Sequence, residues 1–128
     1  MTTNASIVRA PTCDGGTVAL KRLPANGTPV ILLHGLAVNA DIWNLPETRG
    51  KGFHFRSLAQ VLHEAGHDVW LANLRGHGAP DMLSTSPPAQ RDWCVDDFVV
   101  QDMPAIVNHV RGATGRRPFV LGASMGAM

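Results

Sequence analysis

Residues 119–128 read Phe-Val-Leu-Gly-Ala-Ser-Met-Gly-Ala-Met. An apolar run, Pro118 to Leu121, passes directly into Gly122, Ser124 and Gly126, a G-x-S-x-G pattern. This is the sequence form of a nucleophile elbow, in which a serine sits on a sharp turn from strand into helix. Gly122 and Gly126 lie two positions either side of Ser124, where side chains would collide as the strand reverses. The bend lifts Ser124 Oγ clear of the sheet. The backbone N–H of Met125, at the new helix start, can then donate to an oxyanion developing on an attacked carbonyl. Because Gly, Ser and Ala are common residues, a bare match also fits an ordinary strand-to-helix turn; the buried strand directly before it favours the elbow.

Working back from that stretch, the chain alternates strand and helix signals. Ile7 to Ala10 and Thr17 to Leu23 are strand-forming runs joined by Cys13-Asp14-Gly15-Gly16, a turn sequence suited to positive φ, so a hairpin is expected. Val30 to Leu33 is wholly apolar and bounded by turn residues, the pattern of a strand buried on both faces of a parallel sheet. A long irregular segment is expected from Leu36 to His54. Phe55, Leu58, Ala59, Leu62 and Ala65 then share one helix face, and Gly66 stops that helix. Asp68 to Leu74 reads as a second buried strand ending in the turn Arg75-Gly76-His77-Gly78. After a polar loop from Ala79 to Arg91, Val95, Val99, Met103, Ile106 and Val110 form one stripe of another helix. Asp96 and Asp97 occupy its first turn, where the helix dipole favours negative charge. Pro104 removes a backbone donor and predicts a kink or restart. Gly115 closes the helix, and Pro118 to Leu121 is the third buried strand.

The order hairpin, strand, helix, strand, helix, strand specifies an α/β layer fold with a parallel sheet. In such a sheet ligands bind beyond the carboxyl ends of the strands, so the informative residues are those following each strand. They are His34-Gly35-Leu36, Arg75 to Gly78, and Gly122 to Gly126. A second oxyanion donor has to come from the loop after an earlier strand. The N–H of Leu36 is the candidate, with Gly35 letting backbone approach the ligand closely. His34 and Arg75 are read as structural residues that shape their loops, His77 as solvated, and Trp43, Trp70 and Trp93 as core or pocket wall.

Composition bounds the rest. With 128 residues, 45% of them hydrophobic, the chain is about one domain or most of one, and residues 1–128 are read as a single partial domain. Eleven Lys plus Arg nearly cancel ten Asp plus Glu, with no basic run, so nucleic acid is not an expected partner. No apolar stretch approaches the roughly 20 residues of a membrane span. The start, MTTNASIVRA, lacks the basic and apolar regions of a signal peptide, so a cytoplasmic protein is expected. Cys13 and Cys94 imply free thiols rather than a disulfide framework. No metal is expected, because Gly66 between His63 and His67 ends the helix that an i, i+4 ligand pair needs. No cofactor is called for.

Four stretches together resemble the N-terminal half of an α/β-hydrolase, of the acid lipase and steryl esterase group and similar bacterial hydrolases. PVILLHGLAVNADIW is similar to their oxyanion-loop strand, and AGHDVWLANLRGHG to the next strand and turn. DWCVDDFVVQDMPAIVNHV resembles the helix before the nucleophile strand, where an Asp-x-Pro-Ala run like Asp102 to Ala105 recurs, and FVLGASMGAM the nucleophile strand and elbow. The resemblance makes Ser124 the nucleophile and the N–H groups of Leu36 and Met125 the oxyanion hole. It departs from many relatives at Ala123, where they have His, and at Ala127, where they have a second Gly. It implies an esterase or lipase acting on a small apolar ester. The family's acid and histidine follow the nucleophile, and residues 1–128 stop first. The expectation is therefore an N-terminal portion, truncated after the elbow, inactive alone and open to complementation by a C-terminal half. The alternatives are a non-catalytic fragment or binding module, or a thioesterase, peroxidase or acyltransferase on the same fold.

Overall fold

The computed structural model describes residues 4–90 and 92–128. Strands β1 (Ser6–Pro11) and β2 (Thr17–Leu23) form the expected antiparallel hairpin, pairing Ala10 with Val18 and Val8 with Leu20. Strand β3 (Pro29–Leu33) follows, then the small strands β4 (Thr48–Gly50) and β5 (Phe53–Phe55), helix α1 (Leu58–Glu64) and strand β6 (Asp68–Ala72). Helix α2 (Val95–Asp97) runs through a wide π turn, Phe98–Asp102, into α3 (Met103–Thr114), and strand β7 is Phe119–Gly122.

The main sheet has the order β1-β2-β6-β3-β7, and β4-β5 is a separate two-stranded sheet. Strands β6, β3 and β7 are mutually parallel, with β2 antiparallel to β6, so the sheet is mixed. All five residues of β3 and of β6 are buried, as the apolar runs Val30–Leu33 and Val69–Ala72 require, with Asp68 held by Arg22 and Trp70. Their side chains alternate between two cores. Ile31 and Leu33 point with Trp70 and Ala72 toward Phe98, Ile106 and Val110, whereas Val30 and Leu32 point with Val69 and Leu71 toward Ala59 and Ala40. The crossover through α1 thus covers one face and that through α3 the other. Each fully buried Leu or Ile contributes roughly 1.5–3 kcal/mol relative to exposure. The chain leaves β3 in one direction to make β6 and returns on its other side to make β7, which sets a topological switch point at the carboxyl end of β3.

Five expectations need correction. The segment from Leu36 to His54 is not irregular throughout. It holds a 3-10 turn, Ala40–Trp43, capped by Asn39 Oδ1 accepting from Asp41 N–H at 2.9 Å, and the β4-β5 hairpin. Helix α1 consequently starts three residues later than Phe55, at a cap where Ser57 Oγ accepts the Gln60 N–H at 3.1 Å. Arg91, the last residue of the expected loop, lies outside the described residues. The stripe of Val95, Val99 and Met103 is out of phase: Phe98 and Asp102 are buried with Ile106 and Val110, while Val95 and Val99 are exposed. The cause is the π turn, in which Met103 N–H bonds Phe98 O five residues back. That extra residue lies just before Pro104, whose ring has no N–H and would clash with an i−4 carbonyl in a regular helix. Strand β7 is not buried: Phe119 is 69% exposed, and among the described residues β7 pairs only with β3. His77 is not solvated but half-buried, as described below.

Candidate active site

The elbow is a contact between glycines and backbone. A Cβ on Gly122 would stand 2.0 Å from Gly126 O, and one on Gly126 would stand 2.6 Å from His34 O and 2.8 Å from Leu33 O. Both contacts are with main chain, which cannot yield as a flexible side chain would. Only glycine fits either position. The turn closes with Ala123 N–H donating to Leu33 O at 3.3 Å and Gly126 N–H donating to Ala123 O at 2.9 Å. Between them Ser124 has φ of 53°, one of two non-glycine residues with positive φ among those described. Such a conformation costs an L-residue roughly 1–2 kcal/mol and places Ser124 at the exposed tip of the turn.

Gly35 faces this tip across the switch point. A Cβ on Gly35 would lie 3.1 Å from Ser124 Cβ and 3.7 Å from Ser124 Oγ. The loop after β3 and the loop after β7 therefore meet at Ser124, as the parallel register Leu33↔Gly122 dictates. Among the described residues, neither the Leu36 N–H nor the Met125 N–H donates to a protein acceptor. Two free donors flanking an exposed serine can receive a developing oxyanion. The expected site residues, Ser124, Leu36, Met125, Gly122, Gly126, His34 and Gly35, are thus gathered at one edge of the sheet.

His34 is fully buried and does not reach Ser124 as a base. Its Nε2 accepts the Leu74 N–H at 3.1 Å, which leaves the proton on Nδ1, donating to Gly35 O at 2.8 Å. The ring is a rigid spacer between the turn after β6 and the loop carrying Leu36. Burial holds its pKa below the ordinary histidine value, against the Gly35 carbonyl that raises it, and His77 lowers it further. The His77 ring lies 4.7 Å from His34 and packs on Trp93 and Phe98 at 5.5 and 5.9 Å. Trp93 in turn covers Gly76, where any Cβ would stand 2.6 Å from its ring. Trp70 is core, hydrogen-bonded through Nε1 to Asp68 at 2.9 Å, and Trp43 packs against the α1-side core.

Arg75 has the loop-fixing role expected of it, with partners that the local sequence concealed. Its side chain is fully buried. The Asp102 carboxylate takes its backbone N–H at 2.8 Å, Nε at 3.0 Å and Nη2 at 2.9 Å. Asp14, in the β1-β2 turn, takes Nη1 at 2.9 Å and Nη2 at 3.1 Å, and Gln90 Oε1 takes Nη1 at 2.6 Å. The Arg75 hydrogen bonds lower the Asp14 carboxyl to about 2. Burial pushes the Asp102 carboxyl upward, against the Arg75 donors that pull it down. Asn73 was missed by pattern reading altogether. Its Oδ1 accepts the Ala40 N–H at 2.8 Å and its Nδ2 donates to Met82 O at 2.9 Å, tying the exit of the Leu36 loop to the end of β6. The signal for it was a single amide side chain inside an otherwise apolar run.

A cavity of about 630 Å³ lies behind the elbow on the α3 face, lined by Leu33, Leu74, Phe98, Met103, Val120 and Met125 among others; Ser124 is not part of its wall. No group of three or more His, Cys, Asp or Glu side chains is placed to hold a metal among the described residues. Cys13 and Cys94 are both exposed free thiols. No helix among the described residues is long and apolar enough to cross a membrane.

Comparison with known proteins agrees with this fold. Residues 28–128 match the family model described as alpha/beta hydrolase fold. Triacylglycerol lipase 2 of Arabidopsis thaliana is 29% identical over 131 residues, covering 91% of this chain and 30% of the lipase. Human lipase member K is 34% identical over 130 residues, covering 90% of this chain and 31% of that protein. Among solved structures, the Pyrococcus furiosus esterase Pf2001 superposes with a TM-score of 0.72 at 23% identity, over 98% of this chain and 42% of the esterase, a likeness of fold. The chain spans about a third of the length of the curated relatives it matches. Strand order, elbow and family match together make this chain a member of the alpha/beta hydrolase fold family.

Proposed function

We propose that residues 1–128 form one partial domain, the N-terminal, nucleophile-bearing portion of a serine carboxylic-ester hydrolase of the esterase or lipase kind. Ser124 Oγ attacks the ester carbonyl as its proton passes to a histidine base, and the N–H groups of Leu36 and Met125 receive the oxyanion. Collapse expels the alcohol, which takes the proton, and leaves an acyl-serine that water hydrolyses. One observation carries the reading: Ser124 stands exposed in a left-handed turn against Gly35, and among the described residues the Leu36 and Met125 N–H groups beside it have no protein acceptor. The relatives, lipases and an esterase, favour an apolar carboxylic ester as substrate.

Among the described residues no side chain hydrogen-bonds to Ser124 Oγ, and both ring nitrogens of His34 are engaged elsewhere. The base and the acid that orients it belong, in this reading, to a C-terminal half that complements these residues. Fluorophosphonate labelling tests both parts. Residues 1–128 alone are expected to resist the probe. The protein completed to the length of its relatives is expected to label at Ser124, with Ser124→Ala lowering kcat/KM on a nitrophenyl ester by about 10³-fold or more. Ser124-dependent labelling of residues 1–128 alone overturns the assignment of the base to a missing half. Unchanged esterolysis in Ser124→Ala overturns the nucleophile.

A further inference from the structure

Besides Ser124, the other non-glycine residue with positive φ among those described is Ala37, at 61°. It directly follows Leu36, so the loop after β3 is strained beside the donor it presents, as the elbow is strained at its serine. A left-handed alanine has no side-chain hydrogen bond to compensate it and persists only where the surroundings fix the backbone. That hold does not come from the loop itself. Leu36, Ala37 and Val38 are all exposed, and among the described residues no backbone partner holds their N–H or C=O groups.

The loop is held at its two ends, by consecutive residues of the turn after β6. At the entry, His34 Nε2 accepts the Leu74 N–H at 3.1 Å and Nδ1–H donates to Gly35 O at 2.8 Å. The Gly35–Leu36 peptide is planar and trans, so its N–H points opposite to its C=O. A bond to Gly35 O thereby sets the direction of the Leu36 N–H. At the exit, Asn73 Oδ1 accepts the Ala40 N–H at 2.8 Å. Asn73 is 2% exposed and its amide is not free to turn, because Nδ2 donates to Met82 O at 2.9 Å. Its main chain is fixed as well: the N–H donates to Ala19 O at 3.1 Å and the C=O accepts the Ser84 hydroxyl at 2.7 Å. A buried amide is costly unless its polar atoms are satisfied, and the N–H that this one satisfies belongs to the Leu36 loop, not to its own strand. Residues 36–38 thus hang between two fixed peptides.

We propose, resting on the ester-hydrolase reading of Ser124 above, that Asn73 is a positioning residue for the transition state: by holding Ala40 it keeps the strained Leu36–Ala37 turn in place, with the Leu36 N–H aimed at the oxyanion. Asn73 acts through the loop and not on the ester. A donor fixed before the reaction needs no reorganisation as charge develops, so its loss is felt in the transition state more than in substrate binding.

The test is steady-state hydrolysis of a nitrophenyl ester by the protein completed to the length of its relatives. Asn73→Ala is expected to lower kcat about fivefold or more with KM little changed. A trifluoromethyl ketone forms a hemiketal whose oxygen takes the oxyanion position, and its inhibition constant is expected to rise by the factor that kcat/KM falls. Asn73→Asp keeps an oxygen for the Ala40 N–H but sets another against Met82 O, so it is expected to lose stability while keeping most of the parent kcat. Val110→Ala lowers Tm through the α3 core without touching the loop and is expected to keep the parent kcat. A role in stability alone orders activity with Tm across these variants. Ala37→Gly decides the matter if Asn73→Ala does not fold. Glycine accepts φ of 61° without strain, so this variant folds at least as well as the parent, while its slackened turn is expected to lower kcat about twofold or more. A smaller kcat effect in Asn73→Ala, a loss lying wholly in KM, an equal kcat loss in Asn73→Asp, or a parent-like kcat in Ala37→Gly overturns the proposal. Ser124→Ala is read separately: esterolysis that survives it overturns the nucleophile, whereas an inactive Ser124→Ala beside a fully active Asn73→Ala overturns the positioning role alone.

Discussion

Removing the Asp102 carboxylate is expected to destabilise the protein by about 3 kcal/mol, because its three donors all belong to one buried arginine. In Asp102→Ala the Arg75 N–H and Nε lose acceptors at 2.8 and 3.0 Å, and Nη2 loses one at 2.9 Å, in a place without solvent. Breaking a buried pair from one side costs about 3–5 kcal/mol. Asp14 and Gln90 still hold the far end of the guanidinium, which puts the value at the low end. In a domain of this size about 3 kcal/mol lowers Tm by roughly 10 °C. Arg75→Met is expected to cost a comparable amount, and Arg75→Met with Asp102→Ala less than the sum, with a coupling of about 1–3 kcal/mol. Urea denaturation of the four proteins measures this cycle. If Asp102→Ala costs less than about 1 kcal/mol, or the two single effects add in the double variant, the network does not hold the turn as argued.

Two further outcomes follow from the same geometry. Gly122→Ala is expected to abolish Ser124 labelling in the completed protein, since the added Cβ meets Gly126 O at 2.0 Å; labelling within a few-fold of the parent refutes the elbow contact. His34 has a depressed pKa when folded, so the unfolded chain takes up the proton first as pH falls. Its contribution to stability is full above about 6.5 and declines as pH falls from there until folded His34 itself titrates. His34→Gln keeps an acceptor for the Leu74 N–H but does not titrate, and is expected to show a shallower loss of urea midpoint below that pH; identical slopes refute the assignment.

Much of this architecture is legible in the residues themselves. Unbroken apolar runs at Val30–Leu33 and Val69–Ala72 can be satisfied only by burial on both faces, and the two glycines around Ser124 have a single steric explanation. What was not legible depended on phase and on distance. The π turn adds one residue before Pro104, and any periodicity carried through it reads Val95 and Val99 as core when Phe98 and Asp102 hold that place. The β4-β5 hairpin has three-residue strands, too short for alternation to register. His77 is half-buried because Trp93, sixteen residues on, folds over Gly76 and against its ring, a contact with no local signature. The Arg75 partners Asp14 and Asp102 are 61 and 27 residues away.

Ser124 itself shows what the fold gives up. A glycine at position 124 would adopt φ of 53° without penalty, and alanine would inherit the same crowding as serine. On grounds of folding alone the position favours the residue type already at 122 and 126. If Ser124 is the nucleophile proposed above, the fold carries that hydroxyl at a cost in stability, and glycine rather than alanine is the gentler way to silence the site.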